Sequence, residues 1–289
     1  MGQGEFRAKL MRYFDDLAAR VTTEQGDWTV KGFIDIYQRV YTISLDTKVL
    51  SKVLELLILP VLIRFAEENN YQLILAQAQN QYPDFSLVSR DDETECIALD
   101  IKTTYRTGVD RKGHVRVNGM TLGTFGGYFR TRDRPLNSTF AYNRYTAHYV
   151  LGVVYSRVED IDERQVYKIE DLNDIPSVIR DFQFFLHEKY RIASDRPGSG
   201  NTKNIGSTTF LERLVNGTGV FAPLGVAVFD DYWMNYRTRS MAQQEGFDAP
   251  PYTNLKTYYA YKKRGAEILN LAEDDIETEA GDLLADDEN

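Results

Sequence analysis

The chain has 289 residues, 43% hydrophobic and 12% aromatic, enough to bury the core of one large domain or two small ones. Cys96 is the only cysteine, which excludes an internal disulfide and a cysteine-built zinc site, and no run approaches the ~18 uninterrupted apolar residues of a membrane span. A net charge of −9 argues against a nucleic-acid binder, but residues 271–289 hold nine acids and no lysine or arginine, leaving a neutral body with 34 acids and 34 bases.

The N-terminus carries Glu5, Arg7, Lys9 and Arg12 with no apolar signal core, so a cytoplasmic protein is expected. Residues 4–20 have helical periodicity through Phe6, Leu10, Phe14 and Leu17, and residues 29–43 read as a short helix and a strand hairpin. Asp46 or Thr47 can cap a helix starting near Lys48. Leu50, Leu54, Leu57, Ile58, Val61, Leu62 and Phe65 form its apolar face, with a kink expected at Pro60. Glu55, one step around the helix from Leu54, reads as an exposed helix residue.

The most informative stretch follows. Residues 85–89 and 96–102 read as two strands joined by the polar run Asp91 to Glu95. Fifteen residues separate Asp84 from Asp100, room for one strand, a turn and an antiparallel return. Alternation puts Ile97, Leu99 and Ile101 on one face of the second strand and Asp100 and Lys102 on the other. Asp84 is then brought beside both. Two converging carboxylates suit Mg²⁺, which takes one or two protein carboxylates and keeps several waters. A neighbouring ammonium can orient water or stabilise a phosphorane-like transition state. Together these are parts for metal-assisted phosphodiester hydrolysis. Taken alone, Asp-x-Lys is equally the pattern of a structural ion pair at a sheet edge.

Tyr105 to Met120, with Arg106, Arg111, Lys112, His114 and Arg116, reads either as a phosphate-contacting hairpin or as a solvated one. Arg130, Arg132, Arg134 and Arg144 continue the basic character among aromatic residues. Residues 145–157 read as a buried central strand, and the histidines His114, His148 and His187 lack metal-ligand spacing. Residues 198–207, rich in Gly, Asn, Ser and Thr, read as a flexible surface loop without a Walker signature. One helix over 224–240 carries Trp233, Tyr236, Arg237 and Arg239, its aromatics more fitted to core or subunit contact than to base stacking. Lys256, Lys262, Lys263 and Arg264 form a last basic cluster before the acidic tail, which reads as a solvated, disordered extension.

Seven blocks in order resemble the PD-(D/E)xK nucleases, and within them the EcoRV-like type II restriction endonucleases. They lie at residues 44–51, at Asn80-Gln81-Tyr82-Pro83-Asp84-Phe85, at Leu99-Asp100-Ile101-Lys102-Thr103-Thr104 with its flanks, and at 125–128, 145–148, 198–207 and 231–236. The resemblance implies an α/β fold, a mixed central β-sheet flanked by helices. Residues 1–270 would form one restriction-endonuclease-like domain, followed by the tail 271–289. Implied with it is Mg²⁺-dependent hydrolysis of double-stranded DNA by a homodimer, with Mn²⁺ as a substitute cation. The family's palindromic target is GATATC, cut bluntly, and a cognate methyltransferase would protect it. Asp84 and Asp100 would hold the metal, Lys102 would assist water or the transition state, and Glu55 matches the family's extra active-site acid, a candidate for a second metal or its water. Base-reading positions map onto Gly198, Gly200, Asn201 and Thr202, the minor-groove loop onto Gln79 and Asn80, and phosphate or coupling contacts onto Asn204 and Thr104. An asparagine can bond adenine bidentately and a threonine offers a hydroxyl and a methyl to thymine. The family's dimer-forming region corresponds to residues 29–43. The other readings are a nuclease of the same core with another target or a repair role, and a cleavage-dead DNA-binding protein. The mark of the latter would be loss of Asp84, Asp100 or Lys102, and all three are present.

Overall fold

A computed structural model describes residues 3–78, 80–159, 161, 165–198 and 203–263; the acidic tail lies outside them. Two short helices open the chain, α1 (Gln3–Met11) and α2 (Phe14–Val21), in place of the single helix expected over 4–20. The break falls at Arg12 and Tyr13, whose amides bond back three residues to Lys9 and Leu10 (3.2 and 3.0 Å), before Leu17 restarts the helix on the Tyr13 carbonyl. Phe6, Leu10, Leu17 and Val21 are all buried.

Residues 29–43 hold no helix, only the hairpin β1 (Phe33–Ile34) and β2 (Arg39–Tyr41). Its turn is organised by the Asp35 carboxylate, which accepts from the Tyr37 and Arg39 amides (2.9 and 3.0 Å) and from Arg39 Nε. Side-chain bonding of this kind favours a turn over a helix. Helix α3 (Thr47–Glu68) is capped by Asp46, which accepts from the Lys48 and Val49 amides, and continues through Pro60. Leu50, Leu54, Ile58, Val61, Leu62 and Phe65 are buried, so packing of that face sustains the helix across the proline.

The central sheet is built from β3 (Tyr71–Leu75), β4 (Phe85–Ser89), β5 (Cys96–Val109), β6 (Val115–Val117), β8 (Ala147–Arg157) and β10 (Ile179–Glu188). Its order is β10-β8-β5-β4-β3, with β6 attached to β5. β5 and β8 run parallel and the remaining pairs antiparallel, giving the mixed sheet expected from the sequence. The sheet divides two cores. Ile97, Leu99 and Ile101 of β5 face a core shared with α1, α2 and α3; Cys96 and Ala98 face an aromatic core containing Phe125, Tyr142 and Trp233.

Strands β7 (Thr121–Thr124), β11 (Ala193–Pro197) and β12 (Asn204–Ser207) make a small sheet in the order β11-β12-β7. Another joins β1 and β2 to β9 (Val166–Lys168). Helix α4 (Lys189–Ile192) is the single turn between β10 and β11, and α5 (Leu211–Asn216), α6 (Gly225–Asn235), α7 (Arg239–Gln244) and α8 (Leu255–Lys263) complete the chain. The helix expected over 224–240 stops at Asn235, so Arg237 and Arg239 lie beyond it. Trp233 and Tyr236 are buried in the aromatic core. Among the described residues no helix is long and apolar enough to cross a membrane.

Candidate active site

Register does most of the assembly. Phe85 pairs with Leu99, so the residue before β4 lies opposite Asp100. The Asp84 amide donates to Asp100 Oδ1 at 3.1 Å, and the Ile101 amide donates to Asp84 Oδ2 at 2.7 Å. Each acid is thus held by the backbone of the other's strand. Lys102 Nζ lies 3.2 Å from Asp100 Oδ2 and 4.0 Å from Asp84 Oδ2. Asp100 is buried, and Asp84 and Lys102 are half-buried, at the margin between core and solvent.

The electrostatics follow from that margin. Burial, and then the charge of Asp100, raises the Asp84 pKa to about 6 despite Lys102 and the Ile101 amide. Burial alone would lower Lys102, but Asp100 and Asp84 outweigh it and leave the pKa above its usual value. Lys102 is therefore a fixed cation. Glu55 stands on α3, half-buried and paired with Lys52 at 2.6 Å. It does not join the hydrogen-bonded cluster, but its charge contributes to raising both Asp84 and Lys102. One turn earlier, Ser51 and Thr103 share a hydrogen bond of 2.6 Å that clasps α3 to β5 beside Lys102. Sequence reading missed this clasp, since neither hydroxyl belongs to a recognisable pattern.

The donor set fits a hard divalent cation. Asp84 Oδ1 accepts no hydrogen bond among the described residues, whereas the other three carboxylate oxygens of the pair have partners. No three His, Cys, Asp or Glu side chains among the described residues gather as a closed metal cage. Two carboxylates with the rest of the coordination sphere left to water and phosphate are the arrangement Mg²⁺ prefers.

Behind the acids lies a group of residues that sequence reading did not connect. Lys189, 2% exposed, donates to Tyr82 Oη at 3.1 Å. Its ammonium stands 4.2 Å from the Tyr82 ring centroid and within 6 Å of those of Tyr128 and Tyr142. Tyr82 stacks on Tyr128 at 4.3 Å, and its hydroxyl lies 2.7 Å from His148 Nδ1. An ammonium can only donate, so Tyr82 accepts from Lys189 and donates its own O–H to a bare Nδ1. That requires a neutral imidazole, and burial holds His148 well below its usual pKa. In sequence, Lys189 looks like a solvated charge beside Glu188 and Arg191. Only the fold turns it inward.

Of the segment expected as a surface loop over 198–207, the described residues 198 and 203–207 are paired as a stem rather than free. The Gly198 amide donates to the Asn204 carbonyl at 3.0 Å, and Pro197 pairs with Ile205. The Lys203 carbonyl accepts from the Phe125 amide and Thr124 Oγ1. At Gly206 a Cβ would meet the Arg196 carbonyl at 2.7 Å, so backbone approaches backbone there. Gly198 and the half-buried Asn204 stand on this stem, and Asn80 is exposed with its carbonyl bonded by Asn137. Gly200, Asn201, Thr202 and Gln79 lie outside the described residues. Thr104, expected at a phosphate or coupling contact, is buried, and its hydroxyl donates to the Asn118 carbonyl.

The basic residues divide. Arg106 donates to Ser156, Asp181 and Gln183, Arg116 to Thr209, Arg132 to Asp230, Arg130 to the Tyr236 carbonyl, and Arg144 to the carbonyls of Glu93 and Thr94. Lys262 pairs with Asp231 at 2.5 Å. These cations bind the protein to itself. Arg111, Lys112 and Arg134 are exposed and form no ion pair among the described residues.

The sequence profile of the family described as restriction endonuclease EcoRV matches residues 24–263. The type II restriction enzyme EcoRV of Escherichia coli is 34% identical over 252 residues, covering 86% of this chain and 97% of that enzyme. With the mixed sheet, the Asp84–Asp100–Lys102 cluster and a match over most of both lengths, the chain belongs to the EcoRV family of type II restriction endonucleases.

Proposed function

We propose that this type II restriction endonuclease cuts double-stranded DNA as a homodimer, with Asp84 and Asp100 binding Mg²⁺ and Lys102 serving the transition state. The observation that carries the reading is the interlocked acid pair with a protonated lysine 3.2 Å from Asp100 Oδ2, open to solvent on the Asp84 side. Asp84, Asp100 and Lys102 sum to about −1, and Glu55 takes the total to about −2, a sign that repels phosphate until a cation reverses it.

A divalent cation at the acid pair would supply Lewis-acid stabilisation of charge on the scissile phosphate. The protein's own part is positional. The crossed amide bonds fix both carboxylates before substrate arrives, so little reorganisation accompanies reaction. Lys102, fully protonated, donates rather than accepts; its task is to orient the attacking water and offset negative charge on the phosphoryl oxygens, not to remove a proton. Glu55 is placed to influence the same site through its charge or a bound water. In-line attack leaves a 5′-phosphate and a 3′-hydroxyl.

A palindromic site calls for a two-fold protein, each subunit reading a half-site and cutting one strand. The β1–β2 hairpin supports the pairing. Phe33, Ile34, Ile36 and Tyr37 are 51, 56, 89 and 71% exposed, an apolar cluster that solvent alone does not explain. Gly198, Gly200, Asn201 and Thr202 would read bases, Asn204 would make phosphate or coupling contacts, and Gln79 and Asn80 would approach the minor groove. GATATC cut bluntly is the target this similarity favours, and its central TA step is readily deformed. A methyltransferase acting on the same site is the expected companion.

The test is digestion of a plasmid carrying one GATATC site, with Mg²⁺, by the wild type and Asp100→Ala. One blunt cut at that site, absent in the variant, is the expected result. Cutting elsewhere, still lost in Asp100→Ala, would remove the target and keep the nuclease. A wild type that cuts no DNA with Mg²⁺ or Mn²⁺ would overturn the catalytic reading.

A further inference from the structure

Lys189 is hard to explain by stability. Its ammonium is buried, accepted by one hydroxyl, and makes no ion pair among the described residues. An apolar side chain of similar length would fill the same aromatic box without desolvating a charge. What the ammonium does is fix Tyr82. That residue is held at its backbone by Asn137, whose carbonyl accepts from the Tyr82 amide (3.0 Å), and by the Thr139 amide, which donates to its carbonyl (2.8 Å). At the far end of its ring, the hydroxyl is held between Lys189 and His148. Two residues on stands Asp84. Pro83 between them has no N–H to anchor itself, so Tyr82 is the last firmly held residue before the acid.

We propose that Lys189 is a positioning residue of the nuclease centre, acting through Tyr82 to set the Pro83–Asp84 turn so that Asp84 meets Asp100 at the cation site. The inference rests on the reading of Asp84 and Asp100 as cation ligands. Supporting residues behind metal ligands typically contribute about ten- to a hundredfold in affinity or activity. A positioning role makes a counter-intuitive prediction. Removing a positive charge behind two acids should by itself tighten cation binding, whereas loosening Asp84 should weaken it.

The full chain is compared as wild type, Lys189→Met, Tyr82→Phe, their double variant and Asp100→Ala. Mn²⁺ binding to the DNA-free protein is followed by calorimetry, and cleavage by kcat and KM. Lys189→Met and Tyr82→Phe should each weaken Mn²⁺ binding and lower kcat by about ten- to a hundredfold, with KM for DNA unchanged. The double variant should be no worse than the worse single one, because both cut the same link. Tyr82→Phe keeps the ring and its stacking, so its result stands even where Lys189→Met folds poorly. Unchanged or tighter Mn²⁺ binding in both single variants, or additive losses in the double, would overturn the proposal, while an Asp100→Ala that binds no Mn²⁺ leaves the acid reading intact. A wild type that binds no Mn²⁺, or Asp100→Ala that binds it normally, would overturn both.

Discussion

The carboxylate notch around Lys102 and the aromatic box around Lys189 stand on the same side of the central sheet, and each encloses one lysine. Both lysines would be lowered by burial. Lys102 sits within ion-pair reach of Asp100 and Asp84, and their charges reverse the shift. Lys189 faces tyrosine rings and one hydroxyl; burial dominates, Asp100 restores only part, and its pKa falls to about 8. Burial is common to both, so the distance to a carboxylate decides the sign. Chemistry at a phosphate needs the first kind of lysine. The second kind is costly, and its residence in a core calls for a task.

Breaking the first region should have the larger effect. On the proposed role of Lys102, Lys102→Met removes a preorganised donor from the reacting phosphate, and cleavage should fall by about 10²–10³-fold, in line with loss of a single oxyanion donor. Single-turnover rates at saturating enzyme measure it; a fall under tenfold would reassign Lys102 to a structural ion pair. The acids offer the next test. Asp84 has a folded pKa of about 6, against ~3.9 in the unfolded chain. Between these values the folded state binds more protons, so stability falls as pH rises from about 4 to about 6. Asp84→Asn, neutral at every pH, should then be more stable than wild type at pH 7 by up to about 3 kcal/mol, a gap that closes near pH 4. Urea unfolding in the presence of EDTA checks this, and a gap independent of pH would show that Asp84 is not strained by its partner.

Which of these features the sequence discloses depends on the range of the interactions that build them. The acid pair follows from period-two alternation and one antiparallel return, both local, and the β4–β5 register delivers it. Parallel pairing of β5 with β8 is likewise prepared by an unbroken apolar run at 149–154. The helix expected in 29–43 fails because Asp35 bonds its own turn, a competition that hydrophobic pattern does not register. Thr104 is expected at a phosphate or coupling contact from its place in a motif, and the carbonyl that accepts its hydrogen bond, Asn118, lies beyond the β5–β6 turn, out of reach of pattern. The Tyr82–Lys189 bond spans 107 positions and the Ser51–Thr103 clasp spans 52. Nothing in composition or period links such pairs. Several arginines that read as a phosphate surface are drawn inward for the same reason, by carbonyls and acids distant in sequence.

The smallest expected effect bears most directly on the difference between the two lysines. Lys189→Met exchanges a buried ammonium for an apolar chain of similar length, which removes a charge penalty of about 3 kcal/mol at pH 7, the equivalent of its fall from ~10.4 to about 8. It also removes the hydrogen bond to Tyr82, at a cost of about 1 kcal/mol. The net should be a variant more stable than wild type by about 2 kcal/mol at pH 7, while less active. The sign of its pH dependence is fixed. The folded pKa of about 8 lies below the ~10.4 of the unfolded chain, so folding expels a proton between them and wild-type stability rises with pH across that window. The advantage of the methionine variant should therefore shrink from pH 8 towards pH 10. For Lys102, raised rather than lowered, the corresponding Met exchange should show no such shrinkage, because the carboxylates keep the ammonium charged throughout. Paired urea titrations of the two variants against wild type at pH 7, 8 and 9.5 make the comparison. Parallel curves for both lysines would mean that Lys189 has a carboxylate partner in solution, and the box would no longer be a separate environment.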